Sequence, residues 1–168
     1  MRKRLFNAVL LAITYMLVFA PWSSASNRRV SSEESEEVAI RSLFSKWMDA
    51  YRTYDAKRLA ALETADVQVV DRFGELHVPA GRVENEQLWS EAFKMVSRNT
   101  TPPNASIDRI QFVRPDVAIV QMSWRFPEGI LLVDGERVPA FSEVDTYVVI
   151  KSESGWLVAA HNMQEQKP

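Results

Sequence analysis

Ala118, Val120, Met122, Trp124 and Phe126 alternate with Ile119, Gln121, Ser123 and Arg125, and this period of two commits residues 117–126 to a strand with one buried face. The same period returns over 141–150 and over 156–163, with a turn around Gly155 between them, and residues 107–113 form a further strand. Asp134-Gly135 is a two-residue turn that needs positive φ, and it joins 130–133 to the segment from Arg137. Upstream the period differs. Ile40, Leu43, Phe44, Trp47, Met48 and Tyr51 recur at spacings of three and four, which lays an apolar stripe along one helix. Ser31 and Glu34 have capping-box spacing ahead of it. Asp55 caps a shorter helix that runs to Leu62. A third helix begins near Asn85 and buries Leu88, Trp89, Ala92, Phe93 and Val96. Between the last two, residues 67–73 alternate, with Val67, Val69, Asp71 and Phe73 on one face. Helices first and strands last predict an α+β domain with a mostly antiparallel sheet.

Composition narrows the function classes. The 168 residues hold 20 basic and 22 acidic side chains, so no net positive field points to nucleic acid. The absence of cysteine excludes disulfides, thiolate metal sites and a cysteine nucleophile. His77 and His161 are too far apart to form a local metal motif, and neither a metal nor an organic cofactor is expected. GxGxxG, P-loop, HExxH and GxSxG patterns are all missing.

The first 25 residues read as a secretory signal peptide. Arg2, Lys3 and Arg4 precede an apolar run from Leu5 to Ala20, and Ser23-Ser24-Ala25 offers a cleavage site before Ser26. An uncleaved anchor is the alternative reading, since the run is just short of a bilayer span. Without those three basic residues the chain carries about −5. Export to the periplasm or the medium is expected, with no membrane association after cleavage. Residues 26–34 then form a polar tether and 35–166 a single domain. Two sequons, at Asn99 and Asn104, fall in a polar loop and carry no weight here.

Two carboxylates interrupt apolar strand faces. Asp71 lies between Val69 and Phe73, and Asp145 lies between Glu143 and Tyr147. A desolvated carboxylate there becomes a better base or a neutral donor. Alternatively, each is satisfied by backbone or by Arg72, Arg82 or Arg125 at the sheet rim. Trp47, Tyr51, Phe73, Trp124 and Tyr147 serve as core or as pocket wall, whereas Trp89 and Trp156 read as core. His161 alternates with Ala159 and Met163, as a satisfied half-buried histidine or as a pocket group; His77 reads as surface.

The order of elements and several strings resemble the nuclear transport factor 2-like, or SnoaL-like, superfamily that includes ketosteroid isomerase. The strings are 43–51 followed by Tyr54-Asp55 and 59–62, then Thr64-Ala65-Asp66 leading to Gly74, then Gly81, and finally Gly155-Trp156-Leu157-Val158-Ala159-Ala160-His161, which is similar to the SgcJ/EcaC-like branch. The resemblance implies a cone whose curved sheet wraps three helices around an apolar pocket, and a homodimer formed through the outer sheet face. By the same resemblance the isomerase base falls on Asp71, its protonated acid on Asp145 and its oxyanion-binding tyrosine on Trp47. An indole N–H donates one hydrogen bond but has no acidic hydroxyl, so this chain departs from the isomerase there. The expected function is binding of a small, largely apolar molecule with acid–base chemistry of isomerase or lyase type. The alternative is a non-catalytic carrier or a protein-association domain.

Overall fold

The structure is a computed structural model that describes residues 22–166, with side-chain surroundings described from residue 32. Most of the expected signal peptide lies outside the described residues. The chain divides into two units between Glu37 and Val38, and all strands belong to the second.

The first helix, α1, runs from Trp22 to Arg52. Residues 26–34, expected as a tether, are therefore helical. Ser31 and Glu34 lie inside the helix and not at its start, and Ser35 Oγ donates back to the Ser32 carbonyl at 2.8 Å, the local bond a serine makes within a helix. The predicted apolar stripe is buried, with Ile40, Phe44 and Trp47 almost fully excluded from solvent. Helix α2 (Ala56–Ala61) is capped by Asp55, whose carboxylate accepts from the Arg58 N–H at 2.9 Å. Helix α3 (Arg82–Met95) starts three residues before Asn85, directly after its N-cap Gly81, and buries Asn85, Trp89 and Phe93.

Strand β1 spans Glu63–Val70, followed by β2 (Leu76–His77), β3 (Asn104–Arg114), β4 (Val117–Phe126), β5 (Ile130–Leu131), β6 (Arg137–Val138), β7 (Phe141–Ser152), β8 (Gly155–Asn162) and β9 (Glu165–Gln166). The main sheet runs β2-β1-β8-β7-β4-β3, with β9 continuing the β8 edge of β7. β1 and β8 are parallel and the other pairs antiparallel, so the fold is α+β with a mixed, mostly antiparallel sheet. β5 and β6 form the expected hairpin, but its turn is not the two-residue kind: Gly135 N–H bonds the Leu132 carbonyl, Leu132 N–H bonds the Glu136 carbonyl, and Gly135 at φ 91° has positive φ while Asp134 does not.

Two irregularities decide which side chains face inward. β1 ends at Val70, and the chain turns at once. Asp71 N donates to the Glu75 carbonyl and Gly74, at φ 83°, returns its N–H to Asp71. The alternation that buries Val67 and Val69 therefore stops before Asp71 and Phe73. In β8, Val148 pairs with Ala160 while Val149 pairs with Val158, so Ala159 is an extra residue in a bulge. The bulge changes phase: Trp156 and Val158 face the core, and so does His161.

Candidate functional site

The inner faces of β7 and β8 bring three ionisable side chains into contact with the aromatic stripe of α1. On β7 the alternation buries Glu143, Asp145, Tyr147 and Val149, and Asp145 and His161 are only 3% and 2% exposed. His161 Nε2 lies 2.9 Å from Asp145 Oδ2, and the Tyr147 hydroxyl donates to the same oxygen at 3.2 Å. A carboxylate oxygen accepts, so His161 Nε2 donates to it and Nδ1 is the ring nitrogen outside this bond. Nδ1 and the second oxygen of Asp145 have no partner within the protein. Neither is solvated by bulk water, so both are available to a molecule entering the site.

Glu143 is the third member. Burial drives its carboxyl from 4.5 up to about 7, and the adjacent Asp145 pushes the same way, whereas Arg72 opposes it. One of its oxygens is also unpartnered. A carboxyl poised near neutrality can both give and take a proton at physiological pH. Burial raises the Tyr147 hydroxyl well above the usual phenol range, and the charge of Asp145 adds to this. The Trp124 indole works in the opposite direction, although its N–H falls short of hydrogen-bond geometry to any protein group. Tyr51 is likewise raised, by burial first and by the charge of Glu143 next. Both tyrosines are therefore neutral donors here.

Trp47 is the hub of the aromatic wall. It stacks on Tyr51 at 5.7 Å and meets Trp89, Trp124, Tyr147 and His161 edge to face. Its indole is held by Glu63, a fully buried carboxylate that accepts from Trp47 Nε1 at 3.2 Å, Asn85 Nδ2 at 2.8 Å and Trp89 Nε1 at 2.9 Å. Burial raises the Glu63 carboxyl and these donors lower it, with a net upward shift.

These groups surround a cavity of about 30 Å³ lined by Trp47, Tyr51, Trp124, Glu143, Asp145 and His161 among others, room for about two waters or a small substituent. A second chamber of about 180 Å³ shares Tyr51 and Phe126 with it and lies between the α1–α2 corner and residues 96–103.

Of the residues expected at the site, Trp47, Tyr51, Trp124, Asp145 and His161 line this cavity, and Tyr147 packs directly against it. Asp71 and Phe73 do not. Asp71 Oδ1 accepts the N–H groups of Phe73 and Glu75, and Oδ2 lies 3.1 Å from His77 Nε2. Burial alone would raise the Asp71 carboxyl, but its hydrogen bonds from His77 and the turn outweigh this and hold it low. It is a turn-forming aspartate, and Phe73 is 86% exposed. Asp71, Glu75 and His77 bring their ligand atoms within 4.8 Å of one another at this turn, where the Asp71 carboxylate is already engaged by His77 and by the turn's N–H groups. Glu143 was foreshadowed by sharing the Asp145 face. Glu63 carried no such signal, since it precedes the region of strand alternation.

No protein-family model matches the sequence, and no curated protein is similar to it. The fold does have solved counterparts. A ketosteroid isomerase-like protein from Erwinia carotovora atroseptica superposes with a TM-score of 0.66 at 17% identity, covering 78% of this chain and 96% of that one. A domain of unknown function with a cystatin-like fold from Nostoc punctiforme gives 0.64 at 20% identity, over 80% and 79%. An NTF-2 like protein of unknown function from Shewanella oneidensis gives 0.59 at 14% identity, over 76% and 98%. The chain has the nuclear transport factor 2-like, cystatin-like fold, as the resemblance implied.

Proposed function

We propose that this domain binds a small, largely apolar molecule and moves a proton on it, with His161 as the base that takes one proton, Asp145 as its orienting partner and protonated Glu143 as the acid that gives its own proton at a second position; transfer of the proton from His161 to Glu143 then resets both groups. The hydrogen-bonded Asp145–His161 pair, buried on both sides and with one unpartnered polar atom on each residue, carries this reading. Two titratable groups with separate roles in one water-poor cavity are what acid–base catalysis requires. The ketosteroid isomerase-like neighbour shares the fold, which is compatible with this reading and does not fix the reaction.

Exchange of the α-protons of 2-cyclohexenone in D2O, followed by proton NMR, tests it. The native chain should accelerate exchange, and Asp145→Asn and His161→Phe should each lose about 10²–10⁴ of that acceleration. Absence of acceleration across a set of small cyclic enones, with binding retained, would favour the carrier alternative.

We also propose export after cleavage near Ser26, on the strength of the N-terminal pattern, and homodimerisation through the outer sheet face. Ile119, Val148, Ile150 and Leu157 are only half-buried there, which supports a covering partner.

A further inference from the structure

The outer chamber has walls of one chemistry and a rim of another. Tyr51, Tyr54, Phe93 and Phe126 give it aromatic sides, and Arg52 and Arg98 are its only charged lining groups. Neither arginine makes an ion pair or hydrogen bond among the described residues. The inner cavity, on the far side of Tyr51 and Phe126, carries Glu143 and Asp145. A molecule spanning the two therefore meets cationic groups at one end and carboxylates at the other.

Tyr54 shows that this corner is arranged at some cost. It is the only non-glycine residue with positive φ among the described residues, at 54°. It occupies the left-handed position that ends α1: Asp55 N–H bonds the Ala50 carbonyl at 2.9 Å and Tyr54 N–H bonds the Tyr51 carbonyl at 3.1 Å. Glycine is the ordinary occupant of that position, because a side chain is strained there. The tyrosine ring packs edge to face on Phe93 at 5.4 Å, and the Arg98 guanidinium lies 4.2 Å above its face. A strained residue that trades helix-end stability for the placement of a cation marks a functional position.

We propose that the outer chamber is an anion-recognition subsite for a single-ring aromatic carboxylate, with Arg98 binding the carboxylate and Tyr54 positioning Arg98. This rests on the reading that a small molecule occupies the inner cavity, and it adds the class of that molecule. The chamber volume fits one ring, since a cavity of about 150 Å³ accepts benzene. The guanidinium fork matches a carboxylate in two-point geometry, which an ammonium would not. The acidic inner cavity repels the anion and so fixes the orientation: carboxylate at the arginines, reacting substituent inward.

Calorimetric titration of benzoate and of its neutral isostere benzamide tests the subsite on the native chain and on three variants. Benzoate should bind about tenfold more tightly than benzamide in low-salt buffer. Arg98→Gln should bring benzoate to the benzamide level while leaving benzamide unchanged. Tyr54→Gly should raise the melting temperature, since the helix end is relieved, and yet weaken benzoate; a merely structural tyrosine would not move the two in opposite directions. Asp145→Asn should leave the preference for benzoate intact. Absence of proton exchange in the native chain, with the benzoate preference present, would count against the catalytic reading alone. Equal affinity for the two probes, no binding of either, or Arg98→Gln without effect would overturn the subsite.

Discussion

His161 lies flat against Tyr147, ring centroids 4.2 Å apart and planes 17° from parallel, and both rings direct a donor at Oδ2 of Asp145. The stack fixes the imidazole plane independently of the hydrogen bond. Tyr147→Phe should therefore keep the ring contacts with Phe44, Trp47 and His161 and lose only one buried bond, about 1 kcal/mol in chemical denaturation. His161→Ala removes the stack and leaves Asp145 only the Tyr147 hydroxyl as a partner, and should cost about 2–4 kcal/mol. Equal losses for the two variants would show that the stack does not hold the ring.

Glu143 makes stability depend on pH in a defined direction. Its folded value, about 7, lies above its ordinary 4.5, so the folded state holds the proton more tightly than the unfolded chain. Its contribution is complete below pH 4.5 and is lost as pH rises to about 7, a change of about 3 kcal/mol. Glu143→Gln, uncharged throughout, should flatten this decline and be more stable than the native chain at pH 8. Denaturation midpoints between pH 4 and pH 8 provide the check.

Glu63 accepts three N–H donors on its two oxygens. In Glu63→Gln one oxygen becomes an amide donor, and the arrangement that loses least keeps the oxygen toward Asn85 and Trp89. Trp47 Nε1 then faces a donor and is left unpaired, at a cost of about 1–3 kcal/mol. Melting should fall, and tryptophan fluorescence should change with the displaced indole. An unchanged melting temperature would mean that relief of the buried carboxylate offsets the lost bond.

Asp71→Ala removes the acceptor of the Phe73 and Glu75 N–H groups and should cost about 1–2 kcal/mol without changing proton exchange or probe binding. Its hydrogen bonds hold the carboxyl low, so its contribution is present above the ordinary carboxylate range and is lost as pH falls through the folded value. A loss of proton exchange in this variant would restore Asp71 to the site.

Much of this was legible in the alternation. The inward faces of β4 and β7 follow their period of two, and that period delivers Trp124, Glu143, Asp145 and Tyr147 to one surface. Asp71 misled because alternation describes a strand only while the strand lasts, and pairing stops at Val70. Gly74 was the visible sign of the turn. His161 posed the converse difficulty: Trp156 and Val158 occupy even positions and His161 an odd one, so a regular strand cannot bury all three. The bulge at Ala159 reconciles them, and no residue type there announces it. Glu63 was hidden because its partners come from two helices, so nothing in its neighbourhood along the chain signals a buried carboxylate.

The parallel pairing of β1 with β8 also has a consequence for the order of events during synthesis. β1 is made early, yet only β2, of two residues, pairs with it before β8 emerges. β8 follows every other strand except β9 and brings His161 with it. A ribosome-bound chain that stops before residue 155 has Trp47, Glu63 and Asp145 but neither the imidazole nor the strand that joins β1 to β7. Contacts this distant along the chain close slowly. The Asp145–His161 pair on which the proposed chemistry rests thus forms only when β8 docks, and a chain that stops before β8 lacks it.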